Sequence, residues 1–180
     1  MRPEGEHRYD DDEIAFGGPL RGPEASRSAV VELLRDIYRD AGAAGDELDA
    51  EGLEPARSRP VWIDAFEEKV AIASTVLSPA LVQVLAGADG TVTIERWISG
   101  ETRPTLPEAR RVCIATTIVK RFAEHFPDAI ATDQESEDLK SWFLGANPTL
   151  GEVSPVEFIR LRSFREAAAG IAAAAVGTFA

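Results

Sequence analysis

Three observations in the sequence predict an all-α fold. No segment sustains the alternation of apolar and polar residues that a half-buried strand requires. Apolar side chains recur instead at intervals of three and four, as along one face of a helix. The Ser/Thr-x-x-Glu spacing, in which a hydroxyl and a carboxylate satisfy the free amides of a helix start, occurs at Thr105–Glu108, Thr132–Glu135 and Ser154–Glu157.

Residues 1–26 are rich in Gly, Pro, Asp, Glu and Arg, with too little apolar surface to offset the entropy of ordering, so they are expected to be disordered or loosely attached. A helix near 27–41 follows, where Val30, Leu33, Leu34, Ile37 and Tyr38 share one stripe. It closes near Gly42, and a polar linker continues to Arg59. From Pro60, suited to a first helical turn, Trp62, Phe66, Val70, Ala73 and Leu77 fall at helical spacing. Ser78 and Pro79 then serve as N-cap and first residue of another helix. "ADG" breaks it, and the short helix in "TVTIERWISG" ends at Gly100. A long helix runs from Thr105 to Pro127, another from Thr132 through "SEDLKSWFLG", and a last one from Ser154 into the Ala-rich tail. The sum is about seven helices.

The chain's 180 residues suit one domain, or one domain with an appendage, and 44% hydrophobic content is ordinary for a buried core. The single cysteine, Cys113, excludes an internal disulfide framework and fits a reducing cytoplasm. Its setting, "VCIATTIV", points to a buried structural thiol rather than a nucleophile. No apolar run of about 20 residues could span a bilayer, and "MRPEGEHRYDDDE" has no apolar signal core. A cytoplasmic protein with no membrane contact is therefore expected.

No catalytic or metal-binding constellation stands out. One thiol and two distant imidazoles, His7 and His125, cannot build a conventional zinc site. The acidic run at 10–13 lacks the glycine-and-glutamate frame of a calcium loop, and "FGGPLRG" lacks a preceding strand. A non-enzymatic chain without cofactor or metal is expected.

The net charge of −12 argues against a protein that coats nucleic acid with its whole surface. The distribution is uneven: residues 1–58 carry 7 basic and 15 acidic side chains (net −8), residues 91–122 carry six against three (+3), and residues 123–157 one against eight (−7). Within the basic island, residues 81–104 read as a short helix, a glycine-containing turn and a second short helix. Leu81, Leu85, Ile94, Trp97 and Ile98 would pack the two helices together. Thr91 opens the second helix, where base edges are met, Arg96 lies beside the core Trp97, and Arg103, Arg110 and Arg111 follow at the helix ends, where phosphates are met; with Thr93 these are the candidate DNA-binding residues. A plain αα-corner satisfies the same pattern.

"WFLGANPTLGEVSPVEFI", residues 142–159, is a stiff elbow. Asn147-Pro148 enforces an extended or turn conformation, Leu150-Gly151 adds a second turn, and Ser154-Pro155-Val156-Glu157 opens the next helix. Rigid presentation of large apolar side chains suits a recognition surface. An internal corner that only packs the domain suits it equally.

Two stretches in tandem resemble a known family. Thr93-Ile94, Arg96 to Gly100 and Arg103-Pro104 resemble the second half of an Xre-type helix-turn-helix. Trp142, Asn147, Pro148, Leu150, Gly151, Ser154 and Pro155, in that order, resemble the toxin-binding domain of the Xre–MbcA–ParS antitoxins. The resemblance implies an Xre-like helical domain over 59–130 and a small helical toxin-binding domain over 131–180. The acidic extension, 1–58, lies outside the family core. It further implies an antitoxin that self-associates, docks on a cognate RES-type NAD⁺-consuming toxin, and in some members represses its own operon by binding operator DNA. Trp142, Asn147, Pro148, Leu150, Pro155 and Phe158 would then form the toxin-binding surface, and Phe179, preceded by Gly177, would reach into a pocket. The reading from another class is a stand-alone transcriptional regulator, a phage-type repressor whose C-terminal helices mediate dimerisation.

Overall fold

The structure, a computed structural model, describes residues 23–42, 63–126 and 133–179. These residues are all-helical, with eight α-helices and no strand among them. In chain order the helices are α1 (Pro23–Asp40), α2 (Phe66–Leu77), α3 (Pro79–Ala86), α4 (Thr91–Ile98), α5 (Leu106–His125), α6 (Asp133–Leu144), α7 (Pro155–Leu161) and α8 (Phe164–Phe179), with a 3-10 turn at Pro148–Leu150. His7, the acidic run at 10–13, Trp62 and Thr132 lie outside the described residues.

The long helix α5 is the axis of the fold. Every residue from Val112 to Val119 is buried, so this stretch is enclosed on all sides rather than amphipathic. Helices α1, α2, α3 and α8 all pack on it. Its two buried threonines bond to carbonyls one turn back and also outward, Thr116 at 3.0 Å from the Lys69 carbonyl and Thr117 at 3.0 Å from the Asp40 carboxylate. Such pairing is what allows a hydroxyl to sit in a core.

Helix α1 belongs to the same core. Leu33, Ile37, Tyr38 and Ala41 are buried within one apolar cluster that also contains residues of α2 to α8. Arg121 on α5 reaches Glu32 at 3.3 Å and Asp36 at 3.4 Å, tying α1 down on the side facing solvent. Burial works against the Arg121 charge, but the bond to Glu32 and the nearby Glu124 and Asp36 carboxylates hold its pKa above the usual arginine value.

Three sequence expectations are corrected. The helix expected over Trp62 to Leu77 begins at Phe66: Ile63 is buried ahead of it and Ala65 is left-handed (φ 51°), so Ile63 to Ala65 are not helical, while Pro60, like Trp62, lies outside the described residues. Ile98 is not part of the α3–α4 packing: it is the last residue of α4 and is exposed. The last helix is two helices. Arg162 is extended (φ −103°, ψ 158°), and Ser163 with Glu166 forms a fresh capping pair, the Ser163 amide and hydroxyl both donating to the Glu166 carboxylate.

Candidate functional site

The elbow between α6 and α7 is closed by its own backbone. The Asn147 amide donates to the Val153 carbonyl at 3.2 Å, and the Asn147 carbonyl accepts from Leu150 and Glu152. The Asn147 side chain accepts from the Thr149 amide at 2.9 Å, the Asx turn that makes asparagine useful ahead of Pro148. Gly151 takes a positive φ of 75°, the conformation that favours glycine there. Ser154 then accepts from the Glu157 amide, and Pro155 occupies the first position of α7.

Of the residues expected to form the surface, Pro148 faces solvent while Leu150 and Pro155 are buried beneath the elbow. Phe158 is half-buried under α8: a Cβ added at Gly170 would stand 2.4 Å from its ring. The Trp142 indole N–H donates to Thr178 at 3.2 Å, and the ring contacts Phe143 and Phe179. Phe179 stacks edge-on against Phe122 at 5.3 Å and borders a cavity of about 100 Å³ shared with Arg121 and His125. Trp142 and Phe179 are thus packed on each other within the chain.

Two apolar residues that the sequence reading did not single out stand out instead. Leu144, at the end of α6, is 61% exposed, and Leu161, at the end of α7, is 72% exposed. Leu161 was hidden by reading 155–179 as one helix. The Ser163-Phe164-Arg165-Glu166 capping spacing was the available signal for the break that exposes it.

The helix-turn-helix candidate has two eight-residue helices, α3 and α4, joined by Gly87 to Gly90. Leu85, Ile94 and Trp97 are buried between them and α2, with Trp97 edge-on to Phe66 at 6.0 Å. Thr91 and Arg96 are exposed, as are Val92 and Glu95, and Thr93 is half-buried. Arg96 faces Glu101 at 3.6 Å, and Arg103 is exposed. Arg110 and Arg111 turn toward the C-terminal helices. The Arg110 guanidinium lies 4.7 Å over the Phe164 ring. Arg111 donates to the Ala86 carbonyl at 2.8 Å and the Arg160 carbonyl at 3.4 Å, satisfying the ends of α3 and α7 together. A Cβ at Gly87 would stand 3.1 Å from that guanidinium, and Gly87 also has a φ of 79°.

The structure therefore brings Thr91, Thr93 and Arg96 onto one helix, and sets Arg110 and Arg111 apart from them at the joint with α7 and α8. Cys113 is buried within α5, and burial pushes its thiol up to about 12. No cluster of three or more His, Cys, Asp or Glu suited to a metal ion occurs among the described residues. No single helix among them is long and apolar enough to cross a membrane. No protein-family model, curated protein or solved structure matches the chain.

Proposed function

We propose that the chain is an antitoxin that binds and blocks a RES-type NAD⁺-consuming toxin through the α6–elbow–α7 region. The observation that carries this reading is the self-closed elbow: its turns satisfy their own hydrogen bonds and leave Leu144 and Pro148 outward on a preset frame. A surface ordered before binding avoids the entropy of ordering during association. Exposed apolar anchors beside it supply desolvation energy to a partner.

The test is co-expression with a RES-domain toxin encoded by the adjacent reading frame, scored by growth, cellular NAD⁺ and co-purification. Wild-type protein restores growth and NAD⁺ and purifies with the toxin. Leu144→Arg with Pro148→Ala loses rescue while its melting temperature stays close to wild type, because both residues are exposed. Trp142→Ala is a poorer probe, since it removes intramolecular packing as well as any contact surface. Rescue undiminished in the double variant would remove the elbow as the contact.

A second reading, a DNA-binding regulator acting alone or on the antitoxin's own operon, is favoured by the α3–turn–α4 layout with Thr91 and Arg96 exposed on the second helix. Retardation of the upstream DNA, weakened by Arg96→Ala and by added salt, supports it. An unshifted fragment at low salt removes it.

A further inference from the structure

The turn between α3 and α4 carries the chain's single Asp-Gly pair, Asp89-Gly90, and the one asparagine, Asn147, precedes proline rather than glycine. In an Asp-Gly pair the glycine nitrogen can close on the aspartate carboxyl carbon, because glycine has no Cβ to crowd the approach and rotates freely. A fixed backbone, or a bond that occupies the carboxylate, ordinarily prevents this. Neither restraint acts at Asp89. It is exposed in a bend. An aspartate at a helix start commonly caps it, but the cap position of α4 is Gly90, and no side chain caps that helix. Gly90 is extended (φ −178°, ψ 168°), and its carbonyl rather than its amide is engaged, accepting from the Thr93 amide at 3.1 Å. Among the described residues neither the Asp89 carboxylate nor the Gly90 amide has a hydrogen-bond or ion-pair partner. A Cβ added at Gly90 would meet no atom within 4 Å, so there is room for a ring to close. The residues on either side are held: Ala88 is buried with its amide and carbonyl both bonded to Gln83, and Ile94 is buried in α4.

We infer that Asp89-Gly90 is a site of spontaneous succinimide formation and isoaspartate conversion in the folded chain. The Gly90 nitrogen bonds to Cγ of the protonated Asp89 carboxyl group, and its proton leaves with the carboxyl hydroxyl as water, giving a cyclic imide. Water then opens the ring at either carbonyl. Opening at Cγ restores aspartate. Opening at the Asp89 main-chain carbonyl leaves Gly90 joined through Cγ, with the Asp89 Cβ now in the main chain and the former main-chain carbonyl now a carboxylate. The water lost in closure is regained in opening, so no oxidant, cofactor or enzyme is consumed. Because Ala88 and Ile94 stay packed, the added main-chain atom is taken up between them, displacing the exposed opening of α4 at Thr91 and Val92. The inference rests on neither the antitoxin reading nor the DNA-binding one.

The test is incubation of the full chain in oxygen-18 water at neutral pH, followed by trypsin digestion in ordinary water and mass spectrometry. Each ring opening leaves one oxygen-18 on the residue, and trypsin releases Asp89 in the peptide 70–96, which contains no other aspartate. Label should enter that peptide of the folded chain at a rate within about tenfold of the urea-unfolded chain, because a turn held by few bonds opens at little cost. The peptide carrying Asp36, a residue of α1 followed by isoleucine, gives the background. Electron-transfer fragmentation should place isoaspartate at position 89. Gly90→Ala, which the open space and extended backbone accommodate, should slow labelling at least about fivefold. Asp89→Glu, which would have to close a larger ring, should bring it to background. Labelling of the folded chain below that tenfold range, or undiminished labelling in either variant, overturns the inference.

Discussion

Cys113 and Gly170 are each set by what surrounds a single atom. The Cys113 thiol sits on a helix with no exposed residue between Val112 and Val119, and burial raises it from 9.0 to about 12. The folded chain thus keeps a proton that the unfolded chain releases, so this contribution is intact below about pH 9 and lost progressively toward about pH 12. Urea unfolding near pH 8 and near pH 10.5 should show a steeper alkaline loss in wild type than in Cys113→Ala, and equal losses would refute the assignment. Gly170 owes its identity to Phe158, whose ring carbons would lie 2.4 and 2.8 Å from an added Cβ, with Leu150 at 3.3 Å. Gly170→Ala should cost about 1–3 kcal/mol from overpacking despite the better helix propensity of alanine. Phe158→Leu should relieve most of that penalty in a double-mutant cycle, and strict additivity of the two changes would count against the contact.

Helix ends are where sequence and structure agree best, because a cap is written in three or four adjacent residues. Thr105–Glu108 forms the full reciprocal box, and Ser78 and Ser154 cap as their Pro-containing sequences suggest. Ser154→Ala should cost about 1 kcal/mol and lower the melting temperature by a few degrees, as measured by circular dichroism. The start of α2 was less legible, since nothing local in Asp64-Ala65 signals a left-handed turn; the burial of Ile63 sets it. The α7–α8 break is written in the Ser163–Glu166 spacing, at the edge of an alanine-rich run whose helix propensity favours continuation. Its capping acid has a pH signature: the Ser163 hydroxyl and amide hold the Glu166 carboxyl below its usual value. That stabilisation is present above the ordinary carboxylate range and lost as pH falls through the lowered folded value. Acid titration should therefore separate wild type from Glu166→Gln at neutral pH and bring the two together at low pH; a constant gap would exclude the cap as its source.

At the scale of the molecule, the elbow was readable because proline, glycine and asparagine constrain their own backbone, whereas the destinations of Arg111 and Phe179 were not. Arg111 finds its partners 25 and 49 residues away, and Phe179 meets Phe122 and Trp142 only once α8 packs on α5 and its end reaches α6. The same long-range contacts make the described helices one core rather than a chain of independent units: α1 packs on α5 and α8, and Arg111 joins α3 to α7. Ile37, fully buried on α1, tests that continuity. Ile37→Ala should cost about 2–5 kcal/mol, the range for emptying a core site. If the core is one cooperative body, the loss must be felt far from α1. Trp97 reports on the helix-turn-helix unit and Trp142 on the elbow, so their emission and the far-ultraviolet dichroism should move to lower denaturant together, with coincident midpoints. Variants retaining only Trp97 or only Trp142 would resolve the two reports. An elbow transition that stays at its wild-type midpoint while the dichroism shifts would show that α6 to α8 fold independently of α1.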